Sequence, residues 1–349
     1  MRKTVCGLVA WMLLICMVAC ANVQEPETFG SEGVVESTEL TLASQIPTTL
    51  TEQTVSPSEP SEIITEPTMT PTAPTEENET IPVTSEPTEP PEPENPVVNI
   101  LLVGQDRRNQ SESGRSDSII LVTFNKSNDT VTLTSFMRDA LVQIPGYYAD
   151  KLNHAYEYGG MSLLEQTLQL NYAVEADGTV LVDFSCFEQV IDTLGGVDIT
   201  LTAEEANHLN AGNGWSLSAG KQKLNGEQAL AYSRIRYIDN DYYRAERQRN
   251  VILSLVEQHK NLSVLEIVNL LQQVLPMVST DMSSEEIMEL VLDLVPMLSS
   301  CGFDEKQIPA PGTFSSGTIQ IREGYKAWFQ YDIDFPANRA ILQEIFRVE

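Results

Sequence analysis

From residue 97 onward, hydrophobic and polar positions alternate between two patterns. Short unbroken apolar runs read as buried strands: "VVNILLVG" (97–104), "DSIILVTFN" (117–125), "TVTLTSF" (130–136), "TVLVDF" (179–184) and "VDITLT" (197–202). A "KSND" turn joins the second and third as a hairpin-like pair. Stretches with apolar residues three or four apart read as helices: 161–171 after a glycine pair, 185–196, 224–234, 245–261, 263–278, 283–298 and 336–349. Asn225 or Gly226 opens the helix at 224–234, and the Asp or Asn of "DND" caps the long one that follows. The two apolar helices between 263 and 298 are read first as core, with a lipid-lined groove as the sharper alternative. "TIQIREGYKAWFQYDI" (318–333) adds strands near the end of the chain. Strands alternating with helices predict an α/β fold, a single domain over 97–349 with a central mixed β-sheet flanked by helices.

Upstream the pattern changes twice. Residues 4–21 are almost unbroken apolar sequence behind Arg2 and Lys3, the arrangement of an export signal. The run is at the short limit for a membrane span and ends in Met17-Val18-Ala19-Cys20, similar to a lipobox with Cys20 as the lipidation candidate. A lipoprotein signal, an uncleaved membrane anchor and an ordinary cleaved signal all put the remainder outside the cytoplasm. Residues 22–96 hold sixteen Glu and no Lys or Arg among many Thr, Pro and Ser. Such a segment cannot bury enough apolar surface to offset its ordering entropy, so it is expected to be a disordered, self-repelling tether.

The formal net charge is −29, and the domain at 97–349, with 34 acids against 19 bases, remains acidic. That balance argues against nucleic acid as a partner. Five arginines within "YSRIRYIDNDYYRAERQR" (232–249) therefore mark a local anion site. Arg234 and Arg236 are two apart and share one side of an extended backbone. Asp241, Arg244, Arg247 and Gln248 share one face of a helix beginning near Asp241. Guanidinium forks converging near a helix N-terminus suit a pyrophosphate better than a lone carboxylate. The competing reading pairs them with Asp239, Asp241 and Glu246.

The loop after the first strand supplies Asp106 at one end and Arg115-Ser116-Asp117 at the other. Two carboxylates so placed suit turn chemistry or a shared Mg²⁺, which takes one or two carboxylates plus phosphate oxygens. Arg138-Asp139 in "MRDALVQIP" favours the second. Neither a P-loop nor a dinucleotide fingerprint is present. The three histidines are scattered and Ser116 lies outside any nucleophile elbow, which disfavours a covalent serine enzyme. His154 is read as structural. Cys186 and Cys301 lack metal-ligand spacing, and a disulfide between them is left open.

In this order, "NILLVGQDRRNQSESGRSDSIILVTFN", "SFMRDALVQIP", "KLNHAYEYGG", "LGGVDI", "LNGEQALAYSRIRY" and "DNDYYRAERQRNVI" resemble the LytR-CpsA-Psr family, closely from 99 to 256 and more vaguely beyond. The resemblance implies a phosphotransferase moving a teichoic acid or capsular polysaccharide type of glycopolymer from a polyprenyl-pyrophosphate carrier to peptidoglycan. It also implies action at the outer face of the cell membrane of a Gram-positive bacterium, with the N-terminus as the membrane attachment. By motif, the Mg²⁺-associated aspartates fall on Asp106 and Asp117, and the catalytic set is these two with Arg138. The pyrophosphate ligands fall on Arg115, Arg138, Arg234, Arg236 and Arg244, with Arg247 and Gln248 adjacent. A long tether departs from the family's usual short connection. The rival expectations are a non-catalytic binder of lipid pyrophosphate with a regulatory role, and a scaffold that grips anionic polymer.

Overall fold

The computed structural model describes residues 96–106, 114–259, 262, 264–294, 297 and 301–348. The expected export segment, Cys20 and the tether up to residue 95 lie outside the described residues. In chain order the elements are β1 (Val97–Gln105), β2 (Ser116–Asn125), β3 (Thr130–Phe136), β4 (Leu141–Val142), β5 (Asp150–Lys151), α1 (Leu152–Tyr172) and β6 (Gly178–Val182). Next come α2 (Phe184–Thr193), β7 (Val197–Leu201), α3 (Ala203–Asn213), β8 (Gly220–Leu224), α4 (Gly226–Ser233), α5 (Asp241–His259) and α6 (Val264–Val274). The remainder is β9 (Ser279–Thr280), α7 (Ser284–Leu294), β10 (Gly302–Ile308), β11 (Ser315–Arg322), β12 (Tyr325–Tyr331) and α8 (Phe335–Ile345).

The central sheet has the order β10-β3-β2-β1-β6-β9 and is mixed, as predicted. Its β1–β2 and β2–β3 pairs are antiparallel, whereas β6 and β10 join in parallel. Because strand side chains alternate between faces, the continuous apolar runs feed two cores. Ile100, Leu102, Ile120 and Val122 pack toward α2, α4 and α5, while Leu101, Val103, Ile119 and Leu121 pack toward α1 and α8. Burial on both faces is why these strands read as unbroken apolar runs.

Several local details differ from expectation. Helix α1 starts before its glycine pair and is kinked there, with Gly160 at φ +65°, a backbone conformation that suits a residue without Cβ. β7 pairs with β8 as a separate ribbon and does not extend the central sheet. Strand β10, whose sequence is mostly polar, was not legible because its outer positions face water. Helices α6 and α7 bury Ile267, Leu271, Val274, Ile287, Val291 and Leu294 in the core. These residues follow the core reading of the two helices. Cys186 and Cys301 are both buried and are not joined by a disulfide.

Two caps fix the helices that carry the arginines. Asn225 accepts the Gln228 N–H in a reciprocal capping box, and Gly226 lets α4 approach α2 so closely that an added Cβ would stand 2.2 Å from the Glu188 carbonyl oxygen. Asn240 Oδ1 accepts the Tyr242 N–H at 2.9 Å where α5 begins.

Candidate active site

The site begins at a fault in the sheet. Opposite Ser118 stands Gly104, but opposite Ser116 stands Gln105, so Asp117 is the extra residue of a β-bulge. Its side chain collects two guanidinium groups: Arg138 Nη1 donates to Oδ1 at 2.6 Å and Arg236 Nη2 to Oδ2 at 3.1 Å. Its main-chain carbonyl accepts Arg244 Nη2 at 3.1 Å. Burial would raise the Asp117 pKa, but Arg138, Arg244 and Arg236 together hold it below the ordinary 3.8.

Arg244 is almost wholly buried at the first turn of α5, where Asp241 accepts from it at 3.0 Å. Burial brings its pKa down to about 10; Asp241 opposes that, and Arg138 and Arg236 reinforce it. The Nε atoms of both Arg138 and Arg244 are buried without a hydrogen-bond partner. Unsatisfied buried donors are costly; Asp139 Oδ2 stands 3.5 Å from the Arg138 Nε, too far for a good hydrogen bond, so both guanidinium groups keep a donor without an acceptor.

Two cavities meet at this cluster. One, of about 1030 Å³ with its open mouth included, runs between the β1–β2–β6 face and helices α2, α4 and α5. Its walls are mostly apolar, with Phe184, Phe187, Val190, Leu230, Ile252 and Leu255 among them, and its polar members include Asp117, Arg234, Arg236, Arg244 and Gln248. The other, of about 1060 Å³ with the open solvent at its mouth included, is polar and holds Asp106, Arg115, Arg138, Asp139, Lys151 and His154. Asp117 and Arg236 line both.

Most of the residues singled out from the sequence therefore converge. Asp106 Oδ1 accepts the Arg115 N–H at 2.7 Å, closing the ends of their loop, and the Arg115 side chain pairs with Glu157 at 2.6 Å. Arg234 lies over the Phe184 ring, 4.3 Å from its centroid. Arg247 is the exception. It is buried, lines neither cavity, and is held by Glu205 at 2.7 Å and by both oxygens of Asp239. Arg249 is likewise structural, joining Glu305 and Ser135. The pairing alternative considered for the arginine cluster thus holds for Arg247 with Asp239 and for Arg244 with Asp241, whereas Arg249 finds its carboxylate in Glu305, outside that set.

Sequence reasoning missed much of the polar cleft's wall. Asn153, Tyr158, Arg322 and Tyr325 line it. Asn153 and Tyr158 sit in a motif already noticed, but nothing in the sequence linked Arg322 and Tyr325 to it. His154 is largely buried, with Nδ1 3.1 Å from Asp150 Oδ1, and burial, opposed by Asp150, lowers its pKa.

Comparison with known proteins gives a consistent picture. The model of the LytR_cpsA_psr family matches residues 66–323. The chain is 36% identical over 202 residues to the polyisoprenyl-teichoic acid–peptidoglycan teichoic acid transferase TagU of Enterococcus faecalis, a match spanning 56% of this chain and 65% of that relative. Among solved structures, TagT bound to LIIa-WTA superposes with a TM-score of 0.59 at 28% identity, covering 72% of this chain and 91% of that one. TagT with bound octaprenyl pyrophosphate lipid gives a TM-score of 0.54 at 26% identity, with 72% and 90% covered.

Proposed function

The chain belongs to the LytR-CpsA-Psr family, and from that membership we propose that it is a phosphotransferase moving an anionic glycopolymer from a polyprenyl-pyrophosphate carrier to peptidoglycan. The observation that carries this reading is the junction of an apolar cavity and a polar cleft at Asp117 and Arg236. A lipid pyrophosphate needs that amphiphilic continuity: a dry channel for the prenyl tail and cations where the tail ends.

With the tail in the apolar cavity, the phosphates meet Arg236, Arg244 and Arg138, and their oxygens are the acceptors that the Nε donors of Arg138 and Arg244 lack. Arg234 and Gln248 flank the cavity's polar end, and Arg115 stands across the cleft. An acceptor hydroxyl, the muramic acid C6 hydroxyl by family resemblance, forms a bond to the sugar-bearing phosphorus as the bond to polyprenyl phosphate breaks. Negative charge grows on the phosphoryl and leaving oxygens, where fixed guanidinium groups stabilise it. The hydroxyl proton passes to a carboxylate of the cleft. Asp117, engaged at both oxygens by arginines, is the poorer base, which favours Asp106.

Two carboxylates of the cleft suit Mg²⁺ in kind, but both Asp117 oxygens are taken by Arg138 and Arg236, so the ion would have to displace one of those guanidinium groups. Asp106 and Asp117 are both oxygen donors of one cleft, and no group of three or more His, Cys, Asp or Glu suited to a metal occurs among the described residues. Mg²⁺ characteristically takes one or two carboxylates and completes its shell with phosphate and water oxygens. When bound, it would neutralise charge on the phosphates.

The same reading puts the domain outside the cytoplasm of a Gram-positive bacterium, attached at the membrane through its N-terminal segment. No helix among the described residues is long and apolar enough to cross a membrane.

The test is transfer by the full chain from a radiolabelled polyprenyl-pyrophosphate glycan to peptidoglycan oligomers, with and without Mg²⁺. Metal-dependent labelling of peptidoglycan, lost in Asp117→Asn, is expected. Tight donor binding with no transfer, using a donor already proven competent with a related enzyme, would replace the ligase with a lipid-pyrophosphate binder. Salt-sensitive affinity for free polymer, indifferent to lipid pyrophosphate, would indicate a scaffold.

A further inference from the structure

The stereochemistry of phosphoryl transfer divides the two cavities between the two substrates. Attacking and leaving oxygens stand roughly in line across the phosphorus. If the polyprenyl phosphate leaves on the side of the apolar cavity, the attacking hydroxyl arrives from the polar cleft. The cleft's far wall must then hold the sugar that carries that hydroxyl.

That wall has the chemistry of a saccharide site. Asn153 is buried, and its Oδ1 has no hydrogen-bond partner although it lines the cleft. An amide oxygen left in that state calls for a donor such as a hydroxyl or an acetamido N–H. Tyr158 stacks one face on Tyr147 at 4.9 Å between centroids, and Tyr325 carries the Arg322 guanidinium carbon over one face at 4.5 Å, so each ring adds to the cleft only the surface those neighbours leave uncovered. Apolar ring faces beside directed polar groups match the mixed surface of a pyranose.

A buried carboxylate organises these groups. Asp150 is wholly buried, and its Oδ2 accepts from Tyr158 Oη at 3.0 Å and from Arg322 Nη2 at 3.1 Å. Its Oδ1 accepts the Lys151 N–H at 2.9 Å and faces His154 Nδ1. Arg322, at the end of β11, is thereby locked to β5 and α1, with most of its donors left over. The ribbon of β11 and β12 is itself fastened beside Arg138, because the Gln330 N–H donates to the Asp139 carbonyl at 3.0 Å. The wall is thus hydrogen-bonded to the residue next to Arg138.

We propose that Asn153, Tyr158, Arg322 and Tyr325 form the acceptor subsite, taking an N-acetylated amino sugar of a carboxylate-bearing glycan, with Asp150 as the residue that positions Tyr158 and Arg322. This rests on the phosphotransferase reading for its orientation. The acetamido group meets Asn153, the sugar face meets the tyrosines, and a carboxylate of the acceptor meets Arg322.

Steady-state transfer by the full chain tests it, varying a defined peptidoglycan glycan oligomer at saturating donor and then the donor at saturating acceptor. Arg322→Ala, Tyr325→Ala and Asn153→Ala are each expected to raise the acceptor KM roughly tenfold, the equivalent of one good hydrogen bond or ring contact, with donor KM unchanged. Asp150→Asn is expected to raise acceptor KM similarly; a merely structural role would lower melting temperature and leave that KM alone. An unchanged acceptor KM in folded Arg322→Ala and Tyr325→Ala overturns the proposal. So does a rise in donor KM instead, which would assign the wall to the donor glycan. Direct calorimetric binding of the same oligomer separates this from the parent reading. Weakened binding in the variants, with no transfer by wild type, keeps the subsite and removes the ligase.

Discussion

Arg138 Nη1 lies 2.6 Å from Asp117 Oδ1, and the two residues stand together at the open end of one hairpin. Asp117 is near the start of β2, and Arg138 follows β3 by two residues. Antiparallel pairing of these strands brings the start of the first beside the end of the second. The bulge then frees Asp117 to turn toward the guanidinium. The pair is therefore a product of topology, and it can be tested as part of the machinery.

Arg138→Ala is expected to lower kcat for glycan transfer by roughly 10²–10³, the usual cost of removing one donor to transition-state charge. Arg138→Lys should recover only part of it, since an ammonium keeps the charge but loses the fork. The readout is single-turnover transfer beside a thermal melt. Wild-type turnover in Arg138→Ala would remove this residue from the reaction.

Arg247 is expected to behave in the opposite way. Replacing it with Ala leaves Glu205 and Asp239 without their shared cation, and breaking a buried pair of this kind costs about 3–5 kcal/mol. Urea unfolding should show the loss directly. Arg234→Ala, which removes only a ring contact at the surface, should leave the unfolding midpoint nearly unchanged.

These contrasts show what was legible in the chain and what was not. The doubly buried strands, the hairpin and the long helix follow from apolar runs and spacing, and Asp106, Asp117 and the arginines follow from charge set against an acidic background. Helical spacing put Arg247 on the same face as Arg244, yet that face turns from the cavity to Glu205 within one turn. Periodicity fixes which residues neighbour each other on a helix, not what the neighbouring loop offers them. The far wall was invisible for a different reason. Arg322 reaches Asp150 across a sequence separation of 172, and no local pattern encodes that contact.

Acid should weaken the fold partly through His154. Burial holds its folded pKa below the ordinary 6.5, with Asp150 opposing and Arg115 assisting. The unfolded chain therefore takes up a proton near 6.5 while the folded chain still resists it, so stability falls as pH drops from that value toward the folded pKa. Urea midpoints measured from pH 7.5 downward should decline for wild type across that window. His154→Gln should flatten this part of the profile; an identical decline in the variant would mean that other groups carry it.

The apolar cavity makes its own prediction, separable from the chemistry. Ile252 is partly buried on α5 and lines that cavity, away from Asp117 by more than two turns of helix from Arg244. Ile252→Trp would fill space needed by a prenyl chain without touching the charged cluster. A rigid head-group site predicts that such a block acts by length. Donors with long prenyl chains should lose affinity by tenfold or more, as expected when overpacking of about 1–3 kcal/mol is forced on a filled site. Donors truncated to one or two isoprene units should bind and react as with wild type, because their phosphates still reach Arg236 and Arg244. A loss equal for long and short chains would place the tail elsewhere and leave the cavity as unoccupied core.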